Sequence, residues 1–161
     1  SSLNIIAGGA SAFTRDIASG GNVISEEIQR QTGLSFEQAE AYKCGGGAAE
    51  QSGIIPQQVQ QVIEGVCDTI AAEIQRSLDF FMATSGEGEI HRIYVTGGTA
   101  NLTILRNAIE RRARTAVEFF NPVERLTIDT KNVEDALVRE RYAQLAVAVG
   151  LSLRKEKEKR A

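Results

Sequence analysis

Ile93-Tyr94-Val95-Thr96-Gly97-Gly98-Thr99-Ala100 joins a β-branched and aromatic run to two glycines, and Leu102, Leu105 and Ile109 then recur at helical spacing. The spacing predicts a buried strand, a Gly-Gly turn and a helix N-terminus in direct succession. Glycine lets a backbone approach a ligand closely, and the free amides of a first helical turn attract anions. In open α/β sheets, ligands gather beyond the carboxyl ends of strands, where this turn falls. The same residues serve a plain tight turn equally well, so the segment alone leaves both readings open.

Working back toward Ser1, the pattern changes from helix to strand. Val59, Val62, Ile63, Val66, Ile70, Ile74, Leu78 and Phe81 keep a three-or-four spacing through the longest predicted helix, with Pro56 expected in its first turn and Gly86 and Gly88 ending it. Residues 44–53 are glycine-rich and predict a loop. Ser35-Phe36-Glu37-Gln38 fits a capping box for a short helix through Lys43, and an earlier helix stops at Gly33 with Glu26 and Glu27 expected in its early turns. Leu3 to Ala7 and Ala12 to Ala18 flank Gly8-Gly9 as two strands of a hairpin. Gly20-Gly21 ends the second strand and, taken alone, reads as a structural turn. Glu40 and Lys43 share a helix face, and the plain reading is a solvated ion pair worth a few tenths of a kcal/mol.

Working forward, Val117 to Phe120 predicts a strand closed by Asn121-Pro122, and Leu126-Thr127-Ile128 a short edge strand. Asn132 caps a helical stretch with Glu134 and Asp135 in its first turn. Tyr142 to Leu153 predicts a helix whose Ala143, Ala146, Ala148 and Gly150 would allow close approach to a sheet. Alternating strands and helices define an α/β layer structure, and the leading antiparallel hairpin makes the expected sheet mixed, flanked by helices. The expected organisation is a hairpin over 1–18, a small helical insert over about 22–56, a core over 57–153 and a charged tail over 154–161.

At 161 residues the chain suits one domain, and 42% hydrophobic content supports a core without a surplus of apolar surface. A net charge of −3 lacks the basic footprint that phosphate-backbone binding demands, so no nucleic-acid partner is expected. No apolar run approaches the roughly 18–20 residues that span a bilayer, which predicts no membrane insertion. No signal-peptide pattern stands at the start, and the expected location is cytoplasmic. Cys44 and Cys67 lack partners at metal-ligand spacing and are expected to act as small apolar residues. His91 is the only histidine, so any triad must use it, and with no nucleophile nearby it is expected at the surface.

Taken together, the Gly-Gly and acidic-x-x-Lys segments resemble the second half of the actin-like ATPase (RNase H-like) fold. That half opens with a phosphate hairpin of pattern D-x-G-x-x-x-[ST]. A Gly-Gly turn before a helix, an acidic-x-x-Lys pair and a strand followed by Gly-Gly come next. Gly20-Gly21, Glu40 through Lys43 and Val95-Thr96-Gly97-Gly98-Thr99 match the last three in order. Within that superfamily the chain resembles the PilM family of type IV pilus assembly proteins. The stretches Glu73 to Phe81 and Ala146 to Arg154 carry the more specific likeness. The D-x-G is missing, and the likeness aligns Ser1 (or Ser2) with the motif's [ST] position.

The resemblance implies ATP as ligand, with Mg2+ in the full-length protein. Its adenine and ribose would lie between the Gly97-Gly98-Thr99 turn and the Glu40/Lys43 helix, with Gly20, Gly21 and Ser1 near the phosphates. It implies slow or absent hydrolysis, since the Asp that acts through magnesium is missing. It also implies an ATP-binding scaffold, peripheral to the inner membrane through its partners, that recruits the cytoplasmic peptide of the inner-membrane protein PilN. The peptide site would lie mainly in the other half of the fold. A small-molecule kinase or a cell-division or cell-shape actin relative is the alternative.

Overall fold

A computed structural model describes residues 1–45, 56–86, 88–129, 131 and 134–154. Most of the glycine-rich loop at 44–53, the Asn132 cap and the tail beyond residue 154 lie outside the described residues. The chain divides into two compact units, Ser1–Ile93 with Leu102–Val117 and Tyr94–Asn101 with Glu118–Ala161.

The first unit opens with strand β1 (Ser2–Ala7) paired antiparallel to β2 (Ala10–Asp16). Gly8 and Gly9 both take positive φ, 58° and 81°, as a two-residue hairpin turn of the favoured twist requires. Ile5 faces Phe13 and Leu3 faces Arg15, with a register shift between Ile5 and Ile6. Ile5 packs with Leu78 and Phe81 into a core that Leu3, Phe13, Ile74, Met82, Ile90 and Ile93 complete.

Helix α1 (Gly21–Thr32) buries Ile24 and Ile28 fully and stops at Gly33, whose φ of 72° lets its N–H reach the Gln29 carbonyl. Glu26 and Glu27 fall in the second turn of a helix that starts at Gly21, and no acidic residue stands in its first turn. Glu27 pairs instead with Arg30 and Gln31 one turn on. Helix α2 (Phe36–Lys43) carries the predicted capping box: Gln38 N donates to the Ser35 hydroxyl, and Gln38 Oε1 accepts from Ser35 N. Helix α3 (Gln57–Ser85) runs 29 residues and ends at Gly86 in the left-handed conformation. Pro56 stands at its N-cap, one position before the first turn. Its stripe from Val59 to Phe81 packs against α1 and against α4 (Thr103–Ala113), which buries Leu105, Ala108 and Ile109.

Strands β3 (Ile93–Val95) and β4 (Val117–Phe119) form a second sheet of two. Ile93 N donates to the Ala116 carbonyl and Phe120 N to the Val95 carbonyl, a ladder that advances in the same direction on both strands and is therefore parallel. Among the described residues, the single mixed sheet expected from sequence is thus two small sheets, one antiparallel and one parallel. Three residues per strand give β3 and β4 few ladder groups with which to recruit neighbours.

In the second unit, Gly98–Asn101 is a 3-10 turn, and α5 (Asp135–Arg141) leads through a 3-10 turn at Tyr142–Leu145 into α6 (Ala146–Ser152). Leu126-Thr127-Ile128 is not a strand, because Leu126 N closes a turn onto the Val123 carbonyl. Ala143 is buried, but Ala148 and Gly150 are exposed and α6 buries nothing, so its small residues do not seat it on a sheet. Among the described residues, no helix is long and apolar enough to cross a membrane.

Candidate functional site

The start of α1 gathers five of the eight candidate residues. Ser1 lies alongside the end of the hairpin, its carbonyl accepting from Ile17 N at 2.7 Å. This lays the Ser1 hydroxyl 3.7 Å from where a Cβ on Gly20 would stand. Ser2 points elsewhere, donating to Asp16 Oδ1 on the neighbouring strand. Gly20 is extended at the N-cap and supplies no capping side chain, so the Gly21 and Asn22 amides have no acceptor within the helix.

Lys43 reaches this helix start from α2. Its ammonium donates to the Gly21 carbonyl at 3.3 Å, Ser25 Oγ at 3.1 Å and Glu40 Oε2 at 2.6 Å. The solvated ion pair expected from the i,i+3 spacing is therefore half buried: Lys43 is 9% exposed and Glu40 40%. The physical reason is the packing of α2 on α1, which would strand an unpaired ammonium at high cost without these three acceptors. Burial pushes the Glu40 carboxyl up, but hydrogen bonds from Lys43 and Ser25 and the Lys43 charge outweigh it, leaving the group below the usual carboxylate range.

Gly97, Gly98 and Thr99 belong to the second unit. Gly97 adopts φ 95°, with open space where a Cβ would project. Its N–H is committed to the Ala143 carbonyl at 2.8 Å, which also accepts from the Thr96 hydroxyl at 3.1 Å. The predicted helix does not start at the glycines: the 3-10 turn closes with Ala100 N on the Gly97 carbonyl, and α4 begins after Leu102. Gly98 and Thr99 lead the 3-10 turn, and their amides precede any intrahelical acceptor. The Gln144 side chain lies over Gly98, its Nε2 3.4 Å from a Cβ placed there.

Ser25, Ala143 and Gln144 escaped the sequence reading. Ser25 had a signal, being a polar residue beside Ile24 on the apolar face of α1, and it is fully buried. Ala143 acts through its carbonyl, which no residue pattern announces. His91 is exposed, facing Glu89 at 3.4 Å. Cys67 is buried as expected, but Cys44 is exposed at the end of α2. No group of three His, Cys, Asp or Glu side chains among the described residues could hold a metal.

The hairpin, the helix start with its half-buried acidic-x-x-Lys pair and the strand with its Gly-Gly turn belong to an actin-like ATPase fold, the fold of the solved structures this chain matches. The chain belongs to the type IV pilus assembly protein PilM family, which matches residues 1–156. It is similar to a solved chain of a PilM-PilN type IV pilus biogenesis complex, with TM-score 0.74 and 26% identity, covering 94% of this chain and 41% of that one. The ethanolamine utilization protein EutJ from Carboxydothermus hydrogenoformans shares the fold at TM-score 0.56 and 21% identity, over 73% of this chain and 39% of that one. The chain thus spans about two-fifths of the solved chains it matches.

Proposed function

We propose that this chain contributes adenine-nucleotide contacts to a scaffold of type IV pilus assembly, and that the nucleotide state governs recruitment of a PilN-like inner-membrane protein through its cytoplasmic peptide. Family membership over residues 1–156 favours the pilus role over a cell-division relative or a small-molecule kinase. The partner follows from the PilM-PilN complex to which the chain is similar.

Each unit offers its own chemistry. In the first, Glu40 and Lys43 stand at the start of α1 beside Gly20, Gly21 and Ser1, pairing an acceptor for sugar hydroxyls with amides suited to phosphate. In the second, Gly97, Gly98 and Thr99 present backbone with open space at Gly97, where a flat base could approach. The observation that carries the reading is the buried Lys43 fixing an ionised Glu40 at a helix start, since a surface pair would not need three partners. When bound, ATP would offer hydroxyls and phosphates of the kind the first unit's groups can take, and Mg2+ is expected with it in the full-length protein.

Calorimetry of the full-length protein with ATP and Mg2+, followed by titration of a PilN cytoplasmic peptide with and without nucleotide, tests the proposal. ATP binding and a nucleotide-dependent peptide affinity are expected. Absence of ATP binding overturns the nucleotide reading, and rapid phosphoryl transfer to small sugars overturns the scaffold.

A further inference from the structure

We infer that the cavity between the end of α3 and the end of α4 is a docking site for a peptide segment of a partner protein. The segment it takes carries one apolar side chain between an acidic and a basic residue. None of the cavity's wall residues is among those assigned to the nucleotide, so the inference stands apart from that reading.

The cavity encloses about 230 Å3, below the roughly 300–1,000 Å3 of small-molecule sites and suited to one side chain of a larger partner. Its floor is the rim of the core: Leu78 is buried, and Met82 and Ile90 are half-buried against that core. Around this floor α3 contributes Asp79, and the end of α4 contributes Arg112 and Arg114. Arg112 is spent on Asp68, and Glu89, also in the wall, faces His91. Asp79 and Arg114 are exposed, and neither side chain has a hydrogen-bond or ion-pair partner among the described residues.

One free charge of each sign thus borders an apolar floor, and the two do not pair with each other. A purely apolar partner would strip water from both charges and return nothing. A partner with one charge of each sign satisfies both, and the asymmetry fixes the direction in which its chain lies.

Arg114 carries a second sign of use. It caps α4 at φ 52°, the only positive φ outside glycine among the described residues. Glycine or asparagine suits that conformation better, so arginine stands there against backbone preference. Its side chain therefore serves something other than closing the helix.

Methyl NMR of the full-length protein, labelled at methionine and with Met82 assigned through Met82→Leu, tests the site. The probes are Ala-Glu-Leu-Lys-Ala and Ala-Lys-Leu-Glu-Ala, each acetylated and amidated. One of the two orders is expected to shift the Met82 signal with a submillimolar Kd. Arg114→Asn should weaken that peptide about tenfold, as loss of a charge-assisted hydrogen bond would. The variant should nevertheless melt no lower than wild type, because asparagine accepts the left-handed backbone. Against the same peptide with glutamine in place of its glutamate, Arg114→Asn should cost less than about twofold. Asp79→Asn should behave in the same way toward the peptide's lysine. If neither peptide moves Met82, whether because the charges do not matter or because the rest of the protein fills the cavity, the proposal is overturned. It is also overturned if either substitution weakens the charged and the neutralised peptide equally.

Discussion

The Ala143 carbonyl accepts the Gly97 amide at 2.8 Å, so the Gly-Gly turn is tied to the 3-10 turn that precedes α6. The Thr96 hydroxyl takes the other lone pair of the same carbonyl, and Ala143 is almost fully buried. A segment 46 residues further along the chain therefore fixes the left-handed backbone at Gly97. The turn owes its conformation to this buried acceptor as much as to its own glycines.

The two glycines should respond differently to alanine. At Gly97 the Cβ meets open space, so the cost is conformational: φ 95° is unfavourable for an L-residue by about 1–2 kcal/mol. At Gly98 the Cβ meets only the end of the flexible Gln144 side chain, and Gly98→Ala should stay within about 0.5 kcal/mol. Urea denaturation of the two variants measures this. Equal destabilisation would contradict the assigned backbone.

Ser35→Ala should cost about 1 kcal/mol, since it leaves Gln38 N without its acceptor and opens the reciprocal pair. The effect should also reach ligand affinity, because α2 carries Glu40 and Lys43. Ser35→Asp, which keeps an acceptor at the cap, should recover most of the loss in a thermal melt. A variant without the acceptor that melts like wild type would remove the capping box from the account.

The two thiols should separate by reactivity. Burial, with the Glu64 charge adding to it, pushes the Cys67 thiol up to about 11, and its side chain has no solvent exposure. Cys44 is exposed. A native-state titration with a thiol reagent at pH 8 should label Cys44 quickly, and Cys67 only after denaturant is added. Rapid labelling of Cys67 without denaturant would show that the packing of α3 opens readily.

Much of the first unit was legible because periodicity and punctuation agree there. Gly33 and Gly86 stop helices with positive φ, Ser35 and Gln38 close a capping box, and the α3 stripe is the long apolar repeat. The second unit was harder. A 3-10 turn stands at Gly98 where a helix start was expected, another at Tyr142 separates α5 from α6, and which amide meets which carbonyl depends on tertiary contact rather than residue type. Glu40 and Lys43 were found by their spacing. Burial of Lys43, and the third member Ser25, depended on α2 lying across the start of α1, which no local pattern encodes.

The Asp68 carboxylate should give the stability curve a measurable acid component. It accepts from Arg111 and, through both oxygens, from Arg112, joining α3 to the end of α4. The Arg112 hydrogen bonds are the main reason its carboxyl lies below the usual range; burial opposes them, and the Arg111 hydrogen bond and the two guanidinium charges add to the lowering. A carboxylate with a depressed folded pKa stabilises the fold above its unfolded value of about 3.9, and that contribution fades as pH falls through the folded value. The side chain is 38% exposed, so solvent screening limits the contribution to about 0.5–1 kcal/mol. Asp68→Asn should therefore be less stable than wild type by about that amount in urea at pH 7. The gap should narrow toward zero as pH is lowered below 4, over the range in which both proteins stay folded. All other carboxylates titrate alike in the two proteins and cancel in the difference. A gap that stays constant down the acid limb would mean that Asp68 acts through shape or hydrogen-bond count and that its charge is immaterial.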